Sequence, residues 1–169
     1  MTERDTAAEQ RPEGRLESLY RAHAADALRL AYLITGDHAL AEDLTQDAFV
    51  KVFGRFHDLR NADAFWWYLR RTVVNLSQSH FRRRRVERAY LERQRPLEGV
   101  AGPDLGDRER MRAALQRLRP QQRAAIVLRY YEDLSEADTA TILGRPIGTV
   151  KSTVARGMER LREELDRDE

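Results

Sequence analysis

Asp133 to Leu165 reads DLSEADTATILGRPIGTVKSTVARGMERLREEL, and this stretch decides the fold. Ser135, with Asp138 three residues on, is a capping pair that starts a short helix. Gly144 stands where the chain must turn sharply, a place for positive φ, and Arg145 and Pro146 complete the turn. A second helix follows, with an apolar stripe of Ile147, Val150, Val154, Met158, Leu161 and Leu165. Its outward positions are Thr149, Lys151, Ser152, Arg156 and Arg160. A capped helix, a glycine turn and a second helix with a basic outer face spell a helix-turn-helix. Short hydroxyls and long cations near a helix N-terminus suit the base edges and phosphates of a major groove. The competing reading is an ordinary surface helix whose cations are solvated beside Glu159, Glu163 and Glu164. Agreement of cap, turn and helix in register favours DNA.

Working outward, every strong periodicity is helical. Leu16, Leu19, Tyr20, Ala24, Ala27, Ala31 and Ile34 recur at three and four. Gly36 ends that helix and Asp37 can cap the next. Ala41, Leu44, Ala48 and Val52, with Phe49 and Phe53, make a second stripe. The stretch from Gly54 to Ala62 breaks the pattern and reads as a loop, with Asn61 a plausible cap. A third helix is predicted from Asp63, with Phe65, Leu69, Thr72, Val73, Leu76 and His80 on one side. Between Arg95 and Gly106 lie five of the chain's fourteen Gly and Pro, which predicts a flexible linker over 87–106. Beyond it, Met111, Ala114, Leu115 and Leu118 form a short helix. Pro120 fits the first turn of another, whose stripe is Ala124, Val127, Leu128 and Tyr131. The expected architecture is all-α: a mobile tail over 1–13, one small helical domain over 14–86, the linker, and a helix-turn-helix domain over 107–169.

Bulk composition narrows the class. Charged residues are 34% of the chain and hydrophobic ones 41%, a soluble globular balance with a wet surface. The net charge is only +2, so distribution carries more information than the total. Seven arginines and one acid, Glu87, lie between Arg70 and Arg88. Four acids and no Lys or Arg lie between Asp37 and Asp47. An anionic end and a cationic end suggest two different partners. There is no cysteine, which excludes disulfides, thiolate metal sites and a cysteine nucleophile. His23, His38, His57 and His80 lack ligand spacing, and His80 reads as a core histidine. No Gly-rich phosphate loop or Ser/His/Asp pattern appears. No metal, cofactor or enzymatic activity is therefore expected. No apolar run reaches the ~20 residues of a membrane span, and the first residues lack a signal-peptide core.

Phe65, Trp66, Trp67 and Tyr68 are four aromatics in a row. Four helical residues point in all directions, so at least one of the last three should reach solvent. Rings beside Arg70, Arg71 and the Arg82–Arg85 cluster can stack on unpaired bases while arginines hold the backbone. The alternative is that the tryptophans pack on the first helix and the arginines only solubilise.

The order of these parts resembles bacterial RNA polymerase sigma factors of the extracytoplasmic-function (ECF) group, and its actinobacterial branch most. The pieces that carry the resemblance are LITGDHALAEDLTQDAFVKVF from Leu33, FWWYLRRTVVNLSQSHFRRRR from Phe65 and LRPQQRAAIVLRYYEDLSEADTATILGRPIGTVKS from Leu118. The resemblance implies a sigma-two domain that docks Glu42, Asp43, Gln46, Asp47, Val50 and Lys51 on core RNA polymerase. It implies minus-ten contacts from Arg55, Phe56, His57 and Asn61 in the loop, which takes a flipped base. It places Trp66, Trp67, Arg70, Asn75, Gln78, Ser79, Arg82 and Arg83 on the minus-ten side as well. Melting would proceed by trapping unstacked bases: unstacking costs about a few kcal/mol per base, and stacking on a ring returns ~1–3 kcal/mol. A sigma-four domain would set Thr149, Lys151, Ser152, Arg156 and Arg160 in the minus-thirty-five major groove. Two positions depart from the family pattern: Thr153 stands where arginine is usual, and Tyr68 where the third helix usually carries tryptophan. The resemblance further implies a cytoplasmic location, promoter DNA both duplex and melted, and an anti-sigma factor as partner. The rival readings are a free-standing helix-turn-helix regulator and a protein that only sequesters a partner.

Overall fold

The computed structural model describes residues 12–55, 62–91 and 106–167. Every regular element among them is helical. Helix α1 spans Pro12–Thr35 and buries Leu19, Ala27, Leu30, Ala31 and Ile34. Gly36, at φ 72°, ends it. Asp37 then caps α2, His38–Gly54, its carboxylate accepting the Leu40 N–H at 3.1 Å. Helix α3 runs Ala62–Leu91 and places Phe65, Leu69, Val73 and Val74 wholly out of solvent. The three helices pack as a bundle around a ring cluster in which Phe65 meets Phe53 at 5.6 Å and Phe49 at 6.1 Å. Helix α3 continues past Glu87, where the linker was expected to begin. Residues 87–91 are mostly good helix formers, and no Gly or Pro interrupts them before Pro96. The rest of the linker, the tail to residue 11 and the loop positions Phe56, His57 and Asn61 lie outside the described residues.

The second module holds α4 (Asp107–Arg117), α5 (Pro120–Ile126), α6 (Glu136–Leu143) and α7 (Ile147–Asp166). Pro120 opens α5 as expected. Helix α5 runs on into a π-helical turn over Val127–Tyr131, where the Glu132 N–H reaches back to the Val127 carbonyl at 3.0 Å. That wider turn shifts the register of the residues after it. Val127 and Leu128 are buried, but Tyr131, expected on the stripe, is 47% exposed. Ile147 is corrected likewise: it is 45% exposed.

Helix α7 buries Val150 and Leu161 of the expected stripe, with Met158 and Leu165 partly buried against the core, and adds Gly157 and Glu164, spaced along one face. At Gly157 a Cβ would meet Ile126 Cδ1 at 2.8 Å and Gln122 Cβ at 3.2 Å, so any larger residue would make the Ile126 side chain shift where α5 and α7 meet. Glu164 sits under Arg160 at 2.7 Å, Arg167 at 3.3 Å and Arg117 at 3.6 Å. Glu164→Ala removes the common anion of three guanidiniums and should cost about 1–3 kcal/mol in urea denaturation. Glu163→Ala, at an exposed position beside it, should cost under about 0.5 kcal/mol.

The two modules share one core. Val127, Leu128 and Ile142 of the second lie in the same apolar cluster as Leu30, Ile34, Leu69 and Val73 of the first. Polar contacts frame this junction. Gln116 Nε2 donates to the Leu33 carbonyl at 3.1 Å. Its side chain lies where a Cβ on Gly36 would fall. Arg29 Nη1 donates to the Tyr131 hydroxyl at 3.3 Å. Arg70 Nε stands 2.8 Å from Glu132 Oε2, with only 12% and 9% of the two side chains exposed.

Candidate nucleic-acid interface

The helix-turn-helix forms from the local chemistry that the sequence displays. Ser135 Oγ accepts the Asp138 N–H at 3.0 Å and donates to its carboxylate at 2.7 Å. Gly144 adopts φ 61°, ψ 40° and closes α6 in the left-handed conformation. Pro146 precedes α7 in extended backbone. Thr149, Lys151, Ser152 and Arg156 are all exposed on α7. Lys151 Nζ lies 3.3 Å from Glu136 Oε2, so it also ties α7 to α6. Arg156 Nε donates to the Ser152 carbonyl at 3.2 Å, which stands its guanidinium along the outer face. Arg160 differs from the rest: it reaches Glu163 and Glu164 of its own helix. Its charge serves the module's own stability.

On the first module, Asn75, Arg82 and Arg83 are exposed and Gln78 and Ser79 half-buried along α3. Arg55, at the C-terminal end of α2, is exposed as well. The aromatic run divides clearly. Phe65 is core; Trp66 and Trp67 pack against the same cluster; Tyr68 is the member that reaches solvent, at 45% exposure. Trp66 stacks on His23 with ring centres 5.3 Å apart, and the Arg70 guanidinium lies 4.9 Å from the Trp66 ring centre. Arg70 therefore points into the junction between modules, toward Glu132, and Trp66 lies between it and α1. Burial holds His23 below the usual histidine range. Burial first, then the charges of Arg84 and Arg83, does the same to His80.

The acidic face is laid out on α2. Glu42, Asp43, Gln46, Asp47, Val50 and Lys51 are all exposed, Val50 at 71%. Asp47 lies one turn before Val50 and Asp43 two turns before it on the same helix. Among the described residues no group of three His, Cys, Asp or Glu could hold a metal ion, and no helix is long and apolar enough to cross a membrane.

Between the modules runs a cleft of about 870 Å³, lined by α3 on one side and by α5 and the helix-turn-helix on the other. Gln78 and Arg82 face Arg145, Thr153 and Arg156 across it. The structure thus brings expected contacts from both DNA elements to one place. It adds Arg84 and Arg85 of the arginine cluster, Arg145 of the turn and Arg119, the one of these four to which the sequence alone attached no role.

Comparison with known proteins agrees with this division. Residues 19–87 match the family model described as Sigma-70 region 2, and residues 108–161 match Sigma-70, region 4. The RNA polymerase sigma-E factor of Streptomyces coelicolor is 38% identical over 154 residues, which span 88% of this chain and 85% of that protein. The ECF RNA polymerase sigma factor SigE of Mycolicibacterium smegmatis is 36% identical over 159 residues, spanning 88% and 61%. The chain belongs to the ECF group of RNA polymerase sigma factors.

The sigma factor RpoE, solved in complex with the anti-sigma factor NepR from Bartonella quintana, matches the fold of this ECF factor with a TM-score of 0.68. Identity is 28%, covering 93% of this chain and 98% of that one. The ECF factor keeps the family's helix-turn-helix, yet Thr153 lies half-buried on the cleft wall. Tyr68 stands exposed while Trp66 and Trp67 are half-buried.

Proposed function

We propose that this ECF sigma factor binds core RNA polymerase through the acidic face of α2 and directs the enzyme to promoters with two separate readers. Residues 14–86 form the clamp and minus-ten module, residues 107–169 the minus-thirty-five module, and 87–106 the connection. The observation that carries this reading is that one chain presents an exposed helix-turn-helix, a second arginine-rich helix and an exposed Val50 amid acids. A free-standing regulator has use for the first alone. The location is cytoplasmic, with the polymerase, and the chain itself performs no catalysis. An anti-sigma partner is proposed by analogy with the solved relative, which is held by one.

Geometry adds a requirement. Elements named for positions minus ten and minus thirty-five lie about 25 base pairs apart, roughly 85 Å along B-DNA at 3.4 Å per step. The longest helix here, α3, has 30 residues, about 45 Å at 1.5 Å per residue. In the packed arrangement the two readers face one cleft. They must separate to engage one promoter, and segment 92–105 can span at most about 50 Å when extended.

The test is run-off transcription with purified core polymerase, beside gel-shift assays with and without core. Promoter binding and initiation should appear only when core and this chain are both present; tight specific duplex binding by the chain alone would favour the free-standing regulator. Arg156→Ala should weaken promoter binding by the holoenzyme by about 1–3 kcal/mol, roughly 5- to 150-fold. An unchanged promoter affinity for this variant would remove Arg156 from the interface.

A further inference from the structure

We propose that the packed form of this chain carries a binding site for a small polyphosphate anion, built from both modules across the cleft between α3 and the helix-turn-helix. Its consequence for transcription rests on the function proposed above; the site itself does not.

Six arginines line the cleft: Arg82, Arg84 and Arg85 of α3, Arg119 ahead of α5, Arg145 of the turn and Arg156 of α7. Among the described residues no carboxylate lines it, and none of the six arginines is ion-paired. Like charges gathered around one cavity repel, so packing the modules concentrates positive potential that only an anion relieves. Guanidinium groups suit phosphate because their planar forks donate two parallel hydrogen bonds to it. The cleft volume of about 870 Å³ falls in the range of small-ligand sites, ~300–1,000 Å³.

A second observation lies behind the cleft wall. Phe81 lines the cleft, and Arg123 lies 5.1 Å from the centre of its ring. Arg123 is 3% exposed and, among the described residues, has no carboxylate partner. It donates to the backbone carbonyl of Gln116 at 3.1 Å and to the Gln116 side chain, while its Nε has no partner. Burial pushes its guanidinium down to about 10. An uncompensated buried charge is costly, and an anion on the far side of Phe81 would offset it. The six arginines converge only while the modules are packed. A ligand that needs all of them therefore binds that form selectively and shifts the population toward it. It also occupies Arg82 and Arg156, which are assigned to promoter phosphates. The result is a ligand-held off state, opened by whatever competes for the arginines or pulls the modules apart.

The test is calorimetric titration of the full chain, without polymerase or DNA, using inorganic tripolyphosphate, orthophosphate and ATP. Tripolyphosphate should bind at least about tenfold more tightly than orthophosphate. Arg85→Gln and Arg145→Gln, one from each module, should each weaken it about tenfold. Arg162→Gln, exposed on α7 outside the cleft, should leave it unchanged. Arg70→Ala lines no part of the cleft but weakens the packing, and should weaken tripolyphosphate binding as well. Equal affinity for ATP and tripolyphosphate assigns recognition to the phosphate chain; tighter ATP binding adds its base against Phe81. Absence of millimolar or tighter tripolyphosphate binding overturns the site. So does binding that loses affinity with only one of Arg85→Gln and Arg145→Gln, since one module would then suffice. A failure of the transcription assay with binding intact would count against the proposed function and leave this site standing.

Discussion

Replacing Arg70 by alanine should release the two modules from each other. Arg70 and Glu132 form the most buried ion pair across the junction among the described residues. Removing one member leaves the other charge in a site that cannot solvate it, at a cost of about 3–5 kcal/mol, or about 150- to 5,000-fold in the packed-to-released ratio. Trp66 also loses the guanidinium over its ring. Scanning calorimetry should therefore resolve two transitions in the variant where the wild type shows one. Retention of a single, unshifted transition would show that the pair contributes nothing to packing. The double replacement Arg70→Met with Glu132→Leu should recover much of the loss, because it removes both desolvated charges together.

The same pair sets a pH dependence. Burial raises the Glu132 carboxyl above the ordinary carboxylate range; the charges of Arg70 and Arg29 pull it down and that of Asp26 pushes it up, and burial dominates. The packed state thus holds the Glu132 proton more tightly than the released state does. Packing stability from this group is fully present below the ordinary carboxylate value and is lost as pH rises through the raised one. His23 and His80 act in the opposite sense on the folding of the first module, since both are held low and favour the folded state when neutral. The Glu132 share is isolated by comparing wild type with Glu132→Gln: the pH slope just above the ordinary carboxylate range should flatten in the variant. In Arg70→Ala it should steepen, because the main charge that opposed the rise is gone.

Phe65→Ala should be the most damaging single truncation. Phe65 is wholly buried and is flanked by rings from both other helices of its module: His23 at 5.6 Å, Phe53 at 5.6 Å and Phe49 at 6.1 Å. Truncating a buried phenylalanine costs about 3–5 kcal/mol in transfer and cavity terms. In a chain of 169 residues that unfolds in one transition, that lowers Tm by at least about 6 °C. The acidic face of α2 and the basic face of α3 are held by this cluster, so polymerase binding and promoter opening should fall together. Tyr68→Ala, three residues along the same helix, is the control. Its ring is exposed, so stability should change by under about 0.5 kcal/mol, while opening should suffer if Tyr68 stacks on an unpaired base.

The helical class, the helix ends and the helix-turn-helix were legible in the chain itself. Asp37, Gly36, Pro120, Ser135 and Gly144 act through their own backbone and nearest neighbours, and that chemistry travels with the sequence. The charge contrast between α2 and α3 was legible for the same reason, because a helix face is a local property. Periodicity failed at Tyr131 and Ile147. At Tyr131 a single π turn displaced the register, and nothing in VLRYY announces an i→i+5 turn; Ile147 is the first residue of its own helix. Spacing also gave no sign of the partners that hold Trp66, Arg70 and Arg160. Each has the outward look of a nucleic-acid contact, and each is turned aside by a partner distant in sequence or by a buried Glu164. How the modules meet was decided only in three dimensions. Val127, Leu128 and Ile142 join a core whose other members lie some fifty or more residues earlier, and Arg70 finds Glu132. Six arginines from separate elements then surround one cleft. Such contacts depend on the free energy of the whole packed arrangement, and local spacing carries no record of them.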